Sequence, residues 1–357
     1  MERLAFTYQT APARVLFGAG SLGRLAGELA ALGVRRALVL STPEQRDTAV
    51  SVAQHLGANA AGVFDRAAMH VPIEVAREAV AYARAAGADG MVAVGGGSTI
   101  GLGKAIALEY TLPIVAVPTT YAGSEMTSIY GITEGGVKKT GRDARVLPRA
   151  VLYDPNLVRT LPLSVCVTSG FNAIAHAAEA LYAQDGNPVV SLMAEEGIRA
   201  MAAALRGLQV DPQSDAMREQ GLYAAWLCGT VLGAAAMGLH HKLCHTLGGS
   251  FNLPHAETHT VMLPHTLAYN AANAPAAMSR AARALGCVED GVPQAIYELM
   301  RASRAPVALK EFGLQAESLD RVADFAVQNP YPNPRILDRV ALRAMLERAY
   351  EGKPPLA

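Results

Sequence analysis

Six of the nine histidines fall between residues 240 and 265. In "HHKLCHTLGGSFNLPH", His241 and His245 are four apart, so on a helix they share one face. His255 follows ten residues later, after a loop. Upstream, "FNAIAHAAEALYA" is a run of good helix formers that carries Asn172 and His176 at the same spacing. Clustered imidazoles suit divalent-metal ligation and proton transfer near neutral pH. A carboxylate at position 172 would complete half of a metal site, but Asn172 is a neutral amide. Three readings follow: a metal site, a site that has lost its metal, and histidines of an ordinary core or surface. The spacing, in a chain that also carries a nucleotide-type loop, favours an active site.

That loop is "VAVGGGSTIGLGKA", with Gly95, Gly96 and Gly97 between a buried strand and a helix. Backbone N–H groups at a helix start, with no Cβ in the way, bind phosphate oxygens. Ser98 and Thr99 add hydroxyls, and Lys104 sits two turns further in. The pattern is neither GxGxxG nor GxxxxGK[ST], and tight strand-to-helix turns also use glycine. A second turn, "PTTYAGSEMTS" (Pro118 to Ser128), follows the next strand and offers Thr119, Thr120 and Ser124. Two such turns at the carboxyl ends of neighbouring strands point to a nucleotide.

The elements that must position these groups fall into two blocks. Through residue 155, strands such as "RALVLS", "GMVAVGGGS" and "PIVAVPTT" alternate with helical stretches, which implies a parallel sheet with helices on both faces. From residue 156 onward only helical patterns are evident. The expected architecture is an α/β nucleotide-binding domain over 1–155 and an all-helical domain over 156–357.

A length of 357 residues suits about two domains. Lys+Arg and Asp+Glu are both 31, so net charge gives no case for nucleic acid or an anionic membrane. Cys166, Cys228, Cys244 and Cys287 lack CxxC spacing and read as reduced core thiols of a cytoplasmic protein. The N-terminus has acids and no long apolar run, so it does not read as a signal peptide. Uncharged Gly221–Leu239 reads as a tightly packed buried helix rather than a membrane span.

Together, "GGGS" with Lys104, "PTTYAGSE", "NAIAHAAEA", "HHKLCHTLGG…PH" and "NPR" at Asn333–Arg335 resemble the iron-containing (group III) alcohol dehydrogenase family. The resemblance covers both blocks. It implies a Rossmann-like N-terminal domain, a helical C-terminal domain of the dehydroquinate synthase-like plan, and NADH or NADPH in the cleft between them. The family's metal ligands, an Asp and three His, fall on Asn172, His176, His241 and His255, and His245 matches a histidine that relays protons. Three departures stand out. The ligand Asp is Asn172, the glycine-loop Asp is Gly101, and the ribose-binding Asp after the second strand is Thr42. With "EGGVKKTGRDARVLPR", they resemble the branch that reduces the carbon–carbon double bond of maleylacetate to 3-oxoadipate in aromatic-compound breakdown. Members of that branch are generally described as working without a metal.

The resemblance thus implies His241 and His245 as hydrogen-bond donor and general acid, a vestigial metal site, and cofactor contacts at Thr42, Gly95–Ser98, Thr99, Lys104, Thr119, Thr120 and Ser124. A divalent Fe or Zn remains compatible but not required. A dicarboxylate substrate needs cations, and the run Lys138, Lys139, Arg142, Arg145, Arg149 supplies them, with Lys139 and Arg142 expected first. No nucleic acid or membrane partner is expected, and the expected assembly is a homodimer. The competing readings are a metal-dependent alcohol or polyol dehydrogenase of the same family, a sugar-phosphate cyclase, and a non-catalytic nucleotide binder.

Overall fold

The structure is a computed structural model that describes Phe6, Tyr8 and residues 14–135, 137–328 and 330–356. Most of the N-terminal stretch read above for a signal lies outside the described residues. The described residues form two compact units that divide between Leu161 and Pro162.

The first unit is a six-stranded parallel sheet in the order β1-β8-β5-β4-β2-β3. Its strands are β1 (Arg14–Phe17), β2 (Ala37–Leu40), β3 (Ala60–Phe64), β4 (Gly90–Gly95), β5 (Ile114–Pro118) and β8 (Ala150–Tyr153). Helices α1 (Leu25–Ala31), α2 (Arg46–Leu56), α3 (Ile73–Ala85) and α4 (Gly97–Glu109) connect them. Every residue of β2, β4, β5 and β8 is buried, as expected when helices cover both faces of a parallel sheet. The pleat divides β4 between two cores: Met91 and Ala93 pack on one face, Val92 and Val94 on the other.

From β2 the chain moves outward to β3, and from β4 it moves the opposite way to β5. The carboxyl ends of β2 and β4 therefore flank the topological switch point, where ligands bind in open α/β sheets. Asp154, just past β8, accepts from the N–H groups of Gly20 and Leu22, 3.0 Å each. This ties the turn after β8 to the turn after β1.

The basic run is more ordered than its charge suggests. β6 (Ile129–Glu134) and β7 (Val137–Arg142) form an antiparallel hairpin, with Thr133 opposite Lys138 and Ile132 opposite Lys139. Polar side chains hid these strands from a reading based on apolar alternation.

The second unit has no strand among its described residues. It comprises α5 (Leu163–Ala180), α6 (Pro188–Val210), α7 (Asp215–Ala234), α8 (Leu239–Phe251), α9 (His255–Asn270), α10 (Pro275–Leu285), α11 (Val292–Ala302), α12 (Ser318–Gln328) and α13 (Arg339–Glu351). α5 is buried continuously from Cys166 to Ala180 and packs on α6, α7 and α9. Among the described residues no single helix is long and apolar enough to cross a membrane; α7 and α8 pass that test only together, across a bend of 96°. The uncharged stretch Gly221–Leu239 runs through this bend, so it is not one helix. No disulfide links the four cysteines.

Candidate active site

In the first unit the sequence-predicted nucleotide residues gather at the switch point. Thr42 follows β2, Gly95–Gly97 end β4 and open α4, and Thr119 and Thr120 follow β5. A Cβ on Gly95 would lie 2.3 Å from Thr99 Oγ1, and one on Gly96 2.8 Å from Thr120 Oγ1. Both glycines are thus required by close packing, while Gly97 and Ser98 leave the first-turn N–H groups of α4 accessible. This glycine cradle fits a nucleotide phosphate.

Several expected contacts face elsewhere. Thr99 is fully buried beneath Gly95. Lys104 is also fully buried, and its Nζ donates to Ser124 O (2.7 Å), Thr127 Oγ1 (2.9 Å) and Ile129 O (2.7 Å). Its three protons hold the turn after β5 against β6 instead of reaching outward. Ser124 contributes a backbone carbonyl to that same arrangement. Gln45 was not anticipated: its Nε2 donates to Thr119 Oγ1 at 2.6 Å, tying the β2 turn to the β5 turn over Gly95. At Gly101, where the family pattern has Asp, a Cβ would lie 2.8 Å from Val71 Cγ2, so the side chain of Val71 occupies that space.

The hairpin sorts its cations by the strand alternation. Lys139 points outward and pairs with Glu134 at 2.7 Å, both side chains well exposed. Arg145 is likewise engaged with Asp143 at 2.7 Å. Arg142 is exposed at the end of β7. Lys138 points the other way, its stem laid across Gly131, and burial lowers its pKa. It forms no ion pair among the described residues. A one-residue offset thus separates the paired cation from the inward one.

In the second unit, α5, α8 and α9 bring the histidines together. His176 stacks on His241 with ring centroids 5.1 Å apart. His241 stands 5.9 Å from His245 and 4.8 Å from His259, which is 4.4 Å from His255. The residue that organises them is Glu179, which the sequence reading did not single out. It lies seven residues after Asn172 and three after His176, on the same helical face. Its carboxylate accepts from His241 Nδ1 (2.6 Å), from the backbone N–H of His240 (2.7 Å) and from that of Gly238 (2.9 Å). Burial alone would raise the Glu179 pKa, but the hydrogen bond and the neighbouring imidazoles bring it down to about 2. Glu179 is therefore ionised and fixes His241 as the Nδ1–H tautomer, leaving Nε2 buried without a hydrogen-bond partner.

A second chain of contacts fixes two more rings. Thr266 Oγ1 donates to the carbonyls of Met262 or Leu263, so it accepts from His240 Nδ1 at 3.0 Å. His240 Nε2 then accepts from His259 Nδ1 at 2.9 Å, which leaves His259 Nε2 bare. Burial, reinforced by neighbouring imidazoles, lowers the pKa of His176 and His259 well below the usual value. Both rings are therefore neutral at pH 7.

The family's metal positions hold three imidazoles and an amide. Asn172 Oδ1, His176 Nδ1 and His241 Nε2 are buried without partners, as vacant ligands would be. Yet none of these four positions carries a carboxylate. Among the described residues, the group whose ligand atoms lie within 4.8 Å of one another is His240, Cys244 and His259. In that group His240 and His259 already satisfy each other by a hydrogen bond. With an amide at Asn172, the four positions do not match the Asp-and-three-His ligand set of the family.

Residues 12–155 match the family model for iron-containing alcohol dehydrogenase, and residues 166–350 match that for the C-terminal part of the Fe-containing alcohol dehydrogenase family. The maleylacetate reductase of Burkholderia cepacia is 62% identical over 351 residues, spanning 98% of this chain and 99% of that protein. That of Pseudomonas knackmussii is 58% identical over 344 residues, spanning 96% and 97%. The crystal structure of maleylacetate reductase from Agrobacterium tumefaciens superposes with a TM-score of 0.93 at 52% identity, covering 99% of this chain and 100% of that one. With both halves matched and relatives more than half identical along nearly the whole chain, this protein belongs to the iron-containing alcohol dehydrogenase family.

Proposed function

We propose that this chain is an NAD(P)H-dependent maleylacetate reductase that adds hydride and a proton across the carbon–carbon double bond to give 3-oxoadipate. The observation that carries this reading is Asn172: the one anionic ligand of the family's metal is an amide, in a chain more than half identical to named maleylacetate reductases. A reduced nicotinamide supplies the hydride when bound. The glycine cradle of Gly95–Gly97, with Ser98, Thr120 and Thr42, holds its phosphates and ribose, and Gln45 orients Thr119.

Hydride adds to the alkene carbon farther from the ketone, and charge moves onto the ketone oxygen as an enolate. An enol is far more acidic than an alcohol, so hydrogen-bond donors stabilise this oxygen without a Lewis acid. His241 acts as the donor in its protonated form, because the neutral ring presents only a lone pair at Nε2. The Glu179 carboxylate stabilises that imidazolium, as the acid does in a catalytic triad. His245 delivers the proton. The enzyme works as a cytoplasmic homodimer on a dicarboxylate substrate and requires no divalent metal.

The test is a turnover assay with NADH or NADPH and maleylacetate, before and after treatment with EDTA. Turnover that survives chelation supports the reading. Activity lost on chelation and restored by Fe²⁺ or Zn²⁺ would instead favour the metal-dependent alcohol dehydrogenase reading.

A further inference from the structure

The substrate carries two carboxylates, and the hairpin cations do not all remain available to it: Lys139 and Arg145 are already paired with acids. The helical unit holds another cation. Lys242 lies on α8 between His241 and His245, and its i,i+3 spacing places it beside His245 on the helix surface. It forms no ion pair among the described residues. Its Nζ sits 5.5 Å above the ring of Tyr331, whose ring centroid is 6.5 Å from that of His245. Lys242 and Tyr331 are both half-buried. An ammonium and a phenol thus flank the imidazole assigned to proton delivery.

We infer that Lys242, assisted by the Tyr331 hydroxyl, binds one carboxylate of the substrate beside His245. The inference rests on the reading of the enzyme as a maleylacetate reductase. The chemistry is direct. A partly desolvated ammonium and a phenolic O–H donate to the same anion, and charge-assisted hydrogen bonds are stronger than neutral ones. The cation over the Tyr331 face also holds the phenol in place. A simple alcohol substrate would offer Lys242 nothing to bind, so this position separates a dicarboxylate from the neutral substrates of an alcohol dehydrogenase.

The test is steady-state kinetics of the full chain with maleylacetate and NADH, comparing wild type, Lys242→Met and Lys242→Arg. Methionine keeps the length of the stem and removes only the charge. We expect Lys242→Met to raise KM for maleylacetate by about 10- to 100-fold, with kcat within about threefold and KM for NADH unchanged. Lys242→Arg should recover at least a third of the lost kcat/KM, which a purely structural role of the stem would not require. Tyr331→Phe should raise the same KM by a few-fold. If the wild type turns over but Lys242→Met keeps its KM for maleylacetate, or loses NADH affinity equally, the inference falls and the proposed function stands. If the wild type does not reduce maleylacetate at all, both fall.

Discussion

Glu179 Oε2 accepts the Nδ1 proton of His241 at 2.6 Å, with both side chains almost fully buried. The same carboxylate caps the N–H groups of Gly238 and His240 at the start of α8. One acid on α5 therefore sets both the entry of α8 and the tautomer of its first site histidine. Glu179→Gln keeps the shape but removes the charge that supports a protonated His241. It should lower kcat by about 10- to 100-fold while KM for NADH stays within a few-fold. Unchanged kcat would remove the Glu179–His241 pair from the chemistry.

The buried histidines make stability depend on pH in a defined direction. Burial lowers His240 to about 3 and His265 to about 4, and holds His176 and His259 well below 6.5. The unfolded chain binds protons at these sites near pH 6.5 that the folded chain refuses. Their stability contribution is therefore complete above pH 6.5 and is lost as pH falls. Glu125, raised by burial to about 7, acts oppositely between its ordinary 4.5 and 7 and offsets one of the four. Stability should then fall as the pH drops below about 6, because these histidines together outweigh Glu125. Urea denaturation at pH 7.5 and 5.5 measures this, and equal midpoints would contradict it.

Lys104 sits inside the α/β unit, and its partners are three acceptors of its own unit. Burial pulls its pKa down to about 7, against the favourable charge of Glu125. Lys104→Met leaves Ser124 O, Thr127 Oγ1 and Ile129 O without that donor and should destabilise the protein by about 3 kcal/mol. Below its melting temperature the variant should keep KM for NADH within a few-fold. A variant as stable as wild type but more than tenfold weaker for NADH would place Lys104 at the cofactor.

Cofactor choice turns on Thr42 and its neighbours. The acid that would repel a 2′-phosphate is absent at Thr42, and Arg46 could attract one. In the structure, however, Arg46 Nε is paired with Asp65 at 2.8 Å, and hydrogen bonding to the Thr42 hydroxyl lowers the exposed Glu44 carboxyl. We expect NADH and NADPH to be used with kcat/KM values within about tenfold, or roughly 1.4 kcal/mol. Asp65→Asn should free Arg46 and improve kcat/KM for NADPH by about three- to tenfold. Thr42→Asp should shift preference towards NADH. A ratio unmoved by both would show that the ribose does not lie at this turn.

The class of each half and the residue types of the site are legible in the amino-acid order alone. Uninterrupted apolar strands such as "GMVAVG" must be covered on both faces, and triple glycine before a helix leaves backbone N–H groups open. The spacings of Asn172 and His176, and of His241 and His245, are helical repeats that need no tertiary information. Tertiary structure decided which of these groups face a ligand. Lys104 lies on a helix buried between the sheet and the turn after β5, so its charge is consumed internally, which a motif cannot reveal. Lys138 and Lys139 are adjacent in sequence, but the pleat of β7 sends them to opposite faces. Glu179 reads as one more residue of an alanine-rich helix until the start of α8, some sixty residues later, brings two backbone N–H groups and an imidazole to its carboxylate. Such pairings depend on how helices distant in sequence pack together, and no local pattern encodes that packing.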